Sequence, residues 1–130
     1  MAAYTIEQLK DQPIVIFTAA PEFNISQHLI AANHDAGKVI SSQNQAVFYI
    51  QDLRQMRPPT MDELMFAADL LARSHNALYH HPQIRREITV TSNMALRMSL
   101  EGMNSEIFGN VDSLIVETLE EALEYARGER

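Results

Sequence analysis

Four short apolar runs, separated by segments with helical spacing, constrain the fold of this 130-residue chain most strongly. The runs cover residues 13–18, 46–51, 87–91 and 113–117. Each run is short and rich in β-branched or aromatic residues, which is typical of buried strands. Because helical segments lie between and after the runs, we expect helical crossovers to join the strands. The sequence therefore predicts an α/β sheet.

Four segments have the apolar spacing of amphipathic helices, and they cover residues 25–42, 61–74, 93–108 and 119–127. Asn24 precedes the first segment and is a favourable N-cap residue. Thr60 with Glu63, and Thr118 with Glu121, form T-x-x-E capping boxes at the starts of the second and fourth segments. These signals predict where three of the four helices begin.

The ends of the last two helices and the first residues of the chain are marked less clearly. Gly109–Asn110 and Gly128 are expected to end the third and fourth helices. Tyr4, Ile6 and Leu9 fit either an edge strand or a helical turn, and we favour the edge strand. The sequence therefore predicts four or five strands and about four helices.

Composition indicates one domain over residues 1–130, since this length is near the commonest domain size and 46% of the residues are hydrophobic. Cysteine is absent, which excludes disulfides, thiolate zinc sites and a cysteine nucleophile, and suggests a reducing compartment. There is no basic-then-apolar leader and no run of roughly 18 apolar residues. We therefore expect a cytoplasmic protein without membrane insertion.

The charge balance argues against a nucleic-acid partner. The chain has 17 acidic and 10 basic residues, a formal net charge of -7, which would repel a phosphate backbone. Arg85 and Arg86 are the only adjacent basic pair, and Glu87 follows them directly. We interpret the two arginines as the solvated entrance to the third predicted strand.

No catalytic, cofactor or metal motif is recognisable. The glycine patterns of nucleophile elbows, P-loops and dinucleotide sites are absent, and residues 18–20 lack the acidic groups that a response regulator needs after its first strand. His75, His80 and His81 cluster in sequence, but without an H-E-x-x-H motif or cysteines a solvated loop explains them better than a metal site. We expect no enzyme, metal or cofactor, although a dispersed acid–base pair is left open.

The chain after Gln45 resembles the STAS domain, the family of anti-sigma-factor antagonists and sulfate-transporter tails. A strand, the pair Asp52–Leu53, a seven-residue loop and a helix rich in Leu and Ala follow in the family's order. Residues 92–108 resemble its helix-then-loop passage, and residues 111–123 its closing strand and Glu-Glu-Ala-Leu helix. The resemblance extends over residues 13–127 and implies a mixed, mostly parallel sheet without an active site.

Family members present the loop and the N-terminus of the second helix to a partner protein, and many carry a phosphorylatable serine there in Asp-Ser-Ser-Gly-Leu. The matching positions in this chain are Thr60, Met61, Asp62, Glu63 and Leu64, of which only the leucine agrees. Because Asp62 replaces the serine, control by the usual kinase is not expected. The resemblance, with the stiff and partly apolar loop, predicts a partner-binding set of Arg54, Met56, Arg57, Thr60, Met61, Asp62 and Glu63.

Several alternatives stay open at this point. Thr60 could be a displaced phosphoacceptor, but the capping box explains it and is favoured. Asp62 and Glu63 could form an acidic contact, or simply favour the helix N-terminus electrostatically. A small apolar ligand or nucleotide, bound between a helix and the sheet, is the alternative to a protein partner. A flat apolar surface at the second helix would favour the protein partner, which could also be a second copy of the chain.

Overall fold

The structure of the protein, a computed structural model, describes residues 3–73, 82–102 and 113–128. Strands and helices alternate along these residues after an initial pair of strands. The strands are β1 (Tyr4–Gln8), β2 (Ile14–Ala19), β3 (Val47–Asp52), β4 (Ile84–Val90) and β5 (Ser113–Val116). The helices are α1 (Ile25–Ser41), α2 (Met61–Arg73), α3 (Met94–Gly102) and α4 (Leu119–Ala126). None of the helices in the described residues is long and apolar enough to cross a membrane.

The strands form one sheet in the order β1-β2-β3-β4-β5. β1 runs antiparallel to β2, with Tyr4 opposite Ala19, and the remaining neighbours are parallel. A tight turn joins β1 to β2, in which Asp11 adopts a left-handed conformation with φ 61°. Aspartate is among the residues that tolerate this region best. The expected edge strand and the mixed, mostly parallel sheet are both confirmed.

Helices cover both faces of the sheet. On one face, which we call the three-helix face, α1, α2 and α3 pack through Leu29, Leu64 and Leu96 against a cluster that includes Val15 and Tyr49. On the opposite face, which we call the α4 face, a second cluster combines the buried side chains of Ile14, Phe48, Ile50, Ile88, Val90, Val116, Ala122 and Ala126. All six residues of β3 are buried, which explains why its sequence begins with a continuous apolar run, residues 47–50, rather than an alternating pattern.

The capping signals in the sequence have the expected geometry. The backbone N–H of Gln27 donates to Asn24 Oδ1 over 3.1 Å at the start of α1, and the N–H of Asn24 donates to His28 Nδ1 over 2.8 Å. The N–H of Glu121 donates to Thr118 Oγ1 over 3.1 Å at the start of α4. Gly128 follows α4 with φ 75°, a conformation that glycine adopts without strain.

β4 begins at Ile84, ahead of the predicted start at residue 87. Pairing with β3 extends through Ile84 and Arg86, so the two arginines belong to the strand, and their interpretation as its solvated entrance is wrong. Arg85 is exposed, but Arg86 is half-buried. The predicted continuation of the third helix to residue 108 and its end at Gly109–Asn110 lie outside the described residues.

Candidate functional site

The connection from β3 to α2, which we call the β3–α2 loop (residues 53–60), leaves the sheet at its central strand. Asp52 ends β3 and is only 4% exposed. Leu53 continues the pairing, since its backbone N–H donates to the carbonyl oxygen of Val90 over 3.0 Å. The loop therefore starts at the carboxyl ends of the parallel strands, the end at which α/β sheets usually carry their binding sites.

Arg54 is fixed by the carboxylate of Asp52. Its Nε donates to Oδ1 over 2.9 Å and its Nη2 to Oδ2 over 2.8 Å, which is a bidentate pair. The backbone N–H of Arg54 also donates to Oδ1, over 3.2 Å. The hydrogen bonds that Arg54 donates to the Asp52 carboxylate raise the pKa of Arg54 above its ordinary value. The positive charge of Arg54 thereby balances the negative charge of the buried carboxylate, and the first turn of the loop is held against the sheet.

Arg57 is fixed in the same way by Glu63, which lies in the first turn of α2. Nη1 and Nη2 of Arg57 donate to Oε1 and Oε2 of Glu63 over 3.2 and 3.0 Å. The Thr60 backbone N–H and, after it, the Arg57 guanidinium lower the pKa of Glu63. This second pair spans the two stiff residues Pro58 and Pro59, so the loop is tied to the helix it precedes.

Thr60 forms the predicted capping box. Its backbone N–H donates to Glu63 Oε1 over 3.0 Å, and the N–H of Glu63 donates to Thr60 Oγ1 over 3.2 Å. The carbonyl oxygen of Thr60 accepts the first bond of the helix, from Leu64 over 3.0 Å. The expected start of α2 is therefore confirmed. Glu63 serves the cap and the ion pair with Arg57 at once.

Exposed methionines lie beside this polar framework. Met61 and Met65 are 69% and 65% exposed, and their spacing of four residues places them on one face of α2. Met94 and Met98 have the same spacing on α3 and are 67% and 65% exposed. Met56, in contrast, is half-buried and packs against the core of the three-helix face. The exposed surface at the start of α2 therefore carries two large apolar side chains, with the acidic Asp62 beside them.

The predicted site residues lie together in one surface segment, with differing exposure. Thr60, Met61 and Asp62 are exposed, whereas Glu63 is half-buried. The sequence reasoning missed Asp52, whose role depends on a contact that no local pattern reveals. It also missed Met65, which the spacing from Met61 could have indicated. The remaining predicted residues are Arg54, Met56 and Arg57, described above.

A buried polar cluster lies under the helices of the three-helix face. Glu87 is 2% exposed, and its Oε1 accepts hydrogen bonds from Gln51 Nε2 over 2.9 Å and from Thr89 Oγ1 over 2.6 Å. Burial, and secondarily the charge of Glu87, raise the pKa of the neighbouring Tyr49 well above its ordinary value. The bond from Gln51 joins β3 to β4, the bond from Thr89 lies within β4, and together they give the carboxyl group a structural role.

The candidate metal ligands His75, His80 and His81 lie outside the described residues. Within residues 3–73, 82–102 and 113–128, no group of three or more His, Cys, Asp or Glu side chains is placed to hold a metal ion. His28 is engaged at the start of α1, where it accepts a hydrogen bond from Asn24.

Solved structures with a similar fold include two STAS-like proteins. No protein-family model matches this sequence, and no curated protein sequence is significantly similar to it. An uncharacterized protein from the DUF3478 family with a SpoIIAA-like fold, from Shewanella loihica PV-4, has a TM-score of 0.55 and 13% identity, covering 95% of this chain and 92% of its own. An anti-sigma factor antagonist from Mycobacterium paratuberculosis has a TM-score of 0.54 and 14% identity over the same shares. The chain therefore has a STAS-like fold, as the resemblance implied.

Proposed function

We propose that this protein is a STAS-like interaction module that binds another protein through the β3–α2 loop and the first turns of α2, without catalysing a reaction. The observation that carries the proposal is the pre-formed loop beside exposed apolar side chains. The binding residues are those expected from the sequence, Arg54, Met56, Arg57, Thr60, Met61, Asp62 and Glu63, with Met65 added.

The stiffness of the loop supports this assignment. Arg54 and Arg57 each form a bidentate pair with a carboxylate. Two prolines restrict the backbone between Arg57 and its partner Glu63. A partner that binds such a loop immobilises little that was free, so less conformational entropy opposes association. The pairs also leave both arginine side chains partly exposed, at 42% and 45%, so they can still contact a polar group of the partner.

The methionines supply the apolar part of the surface. Large exposed apolar side chains are unfavourable in water, and methionine adapts its shape to irregular partner surfaces. Met61 and Met65 lie next to the polar loop, an arrangement of apolar anchors with a charged rim that is common in protein interfaces. Exposed side chains at α2 favour a protein partner over a ligand enclosed beneath this helix.

We further propose that binding at this surface is independent of phosphorylation. Asp62 stands where related domains carry the phosphorylatable serine, and it supplies a permanent negative charge in the first turn of α2, where the helix dipole favours one. The hydroxyl of Thr60 is engaged in the cap. A reducing, cytoplasmic location agrees with the absence of cysteine, and the net charge of -7 disfavours nucleic acid as the partner.

The test compares the wild type with two variants in a capture experiment from the native host. Met61→Asp combined with Met65→Glu makes the surface of α2 acidic at two exposed positions, so the fold should be retained. Ile30→Glu, at a 62% exposed position of α1, is the matched control. We expect the wild type and the control to capture one protein that the double variant does not capture. Once purified, that protein should bind the wild type and the control but not the double variant.

Equal binding of that purified partner by the double variant, with an unchanged unfolding curve, would exclude α2 as the interface. Loss of binding in the Ile30→Glu control alone would move the interface to α1.

A further inference from the structure

A cleft with a basic lining lies on the α4 face, away from the β3–α2 loop. It has a volume of about 510 Å³ and opens between the starts of β3 and β4 and the end of α4. Its lining includes the aromatic residues Phe48 and Tyr125 and three arginines, Arg85, Arg86 and Arg127. The loop leaves the opposite end of β3, so the two sites are separated by the length of that strand.

A β-bulge brings two consecutive arginines of β4 to the same cleft. Val47 pairs with Ile84, but Phe48 pairs with Arg86, so Arg85 is the extra residue on β4. Successive residues of a regular strand point to opposite faces of the sheet. Because a bulge redirects the side chain of the extra residue, Arg85 and Arg86 can both line the α4 face.

Aromatic and polar contacts position the basic groups. The guanidinium of Arg85 lies 5.2 Å from the centre of the Phe48 ring, a cation–π contact. Tyr125 meets the same ring edge-on, with the ring centres 6.1 Å apart. Nε of Arg127 donates to Gln12 Oε1 over 2.9 Å, which ties the end of α4 to the β1–β2 turn. These contacts orient Arg85, Tyr125 and Arg127 around the cleft.

Two arginines of this cleft differ in their pairing from the arginines of the β3–α2 loop. Arg54 and Arg57 are each paired with a carboxylate. Arg85 and Arg127 have no carboxylate partner within residues 3–73, 82–102 and 113–128, and the cleft lining contains no acidic residue. In a chain with 17 acidic and 10 basic residues, two such arginines, Arg85 and Arg127, in the lining of one cleft favour binding of an anion.

We propose that this cleft binds a small organic anion, whose phosphate or carboxylate group contacts Arg85 and Arg127 and whose apolar part lies against Tyr125. Ligand pockets commonly have volumes of about 300–1,000 Å³, so the cleft suits a small molecule. The overall negative charge of the protein would repel a long polyanion such as nucleic acid. This site goes beyond the proposed interaction function and does not depend on it.

The experiment follows backbone amide NMR signals of the whole protein during titration with phenyl phosphate, benzoate, inorganic phosphate and the neutral benzyl alcohol. We expect saturable shifts at Phe48, Arg85 and residues 125–128 with the aromatic anions, and weaker binding of inorganic phosphate. The stronger of phenyl phosphate and benzoate identifies the preferred charged group. Benzyl alcohol should not bind, because it lacks the charge.

Arg85→Gln should weaken binding of the preferred anion by roughly tenfold or more, since a charge-assisted hydrogen bond is lost. Lys38→Gln, an equal change of charge at an exposed position of α1, should leave it unchanged. Arg127→Gln provides a second variant in case the bulge requires Arg85. Equal binding by both cleft variants and the control, binding of benzyl alcohol as strong as that of the anions, or no saturable shift with either aromatic anion would overturn the proposal.

Discussion

Thr60 and Glu63 connect the β3–α2 loop to the helix that follows it. The side chain of each accepts a hydrogen bond from the other's backbone N–H, and the Glu63 carboxylate also accepts from Arg57. These few contacts fix both the start of α2 and the shape of the proposed binding surface. At the residue scale, the hydroxyl of Thr60 therefore has a structural role in the cap, although its position in the loop resembles that of a phosphoacceptor.

Thr60→Ala tests whether this residue is structural. We expect the free energy of unfolding to fall by about 0.5–2 kcal/mol, because an N-cap hydrogen bond is lost, and Thr60→Ser to be nearly silent. Thr118→Ala, which removes the corresponding bond at α4, should cost a similar amount. Chemical denaturation of the three variants measures this. Unchanged stability of Thr60→Ala together with lost partner binding would instead assign Thr60 a direct role in recognition.

At the element scale, the sequence predicts those helix and strand boundaries that depend on a local signal. Thr60 and Thr118 mark helix starts because a cap depends only on residues a few positions apart. The start of β4 was not predictable, because the strand includes two arginines and a bulge that only pairing with β3 produces. Glu87, the first residue of the predicted strand, is buried, and one of its hydrogen-bond donors, Gln51, lies on the neighbouring strand, which no local pattern reveals.

The buried cluster around Glu87 yields a prediction for the β3–β4 pair. Thr89→Val keeps the shape of the side chain but removes the hydroxyl that donates to Glu87 over 2.6 Å. We expect the free energy of unfolding to fall by about 1–3 kcal/mol, since a buried acceptor loses a donor. Thr5→Val, at an exposed position of β1, should change it by less than about 0.5 kcal/mol. Equal stability of the two variants in urea titrations would show that the cluster does not strengthen the sheet.

At the scale of the whole molecule, two surfaces of different character lie at opposite ends of β3. The loop and α2 surface was predictable because its residues are contiguous, and the resemblance to STAS domains drew attention to them. The basic cleft was not predictable, because Arg127 is distant in sequence from Arg85 and Arg86 and lies near them only in the folded chain. An acidic net charge conceals such a gathering of arginines when charges are only counted along the sequence.

The central claim, that α2 contacts a protein partner, is tested most directly by site-specific photo-crosslinking in the native host. The photoreactive residue p-benzoylphenylalanine replaces Met65 in one variant and Ile30 in the other, since both positions are exposed on helices. We predict one covalent adduct of defined mass from position 65 and none of that mass from position 30. An adduct from position 30 alone, or the same adduct from both positions, would contradict a binding surface centred on α2.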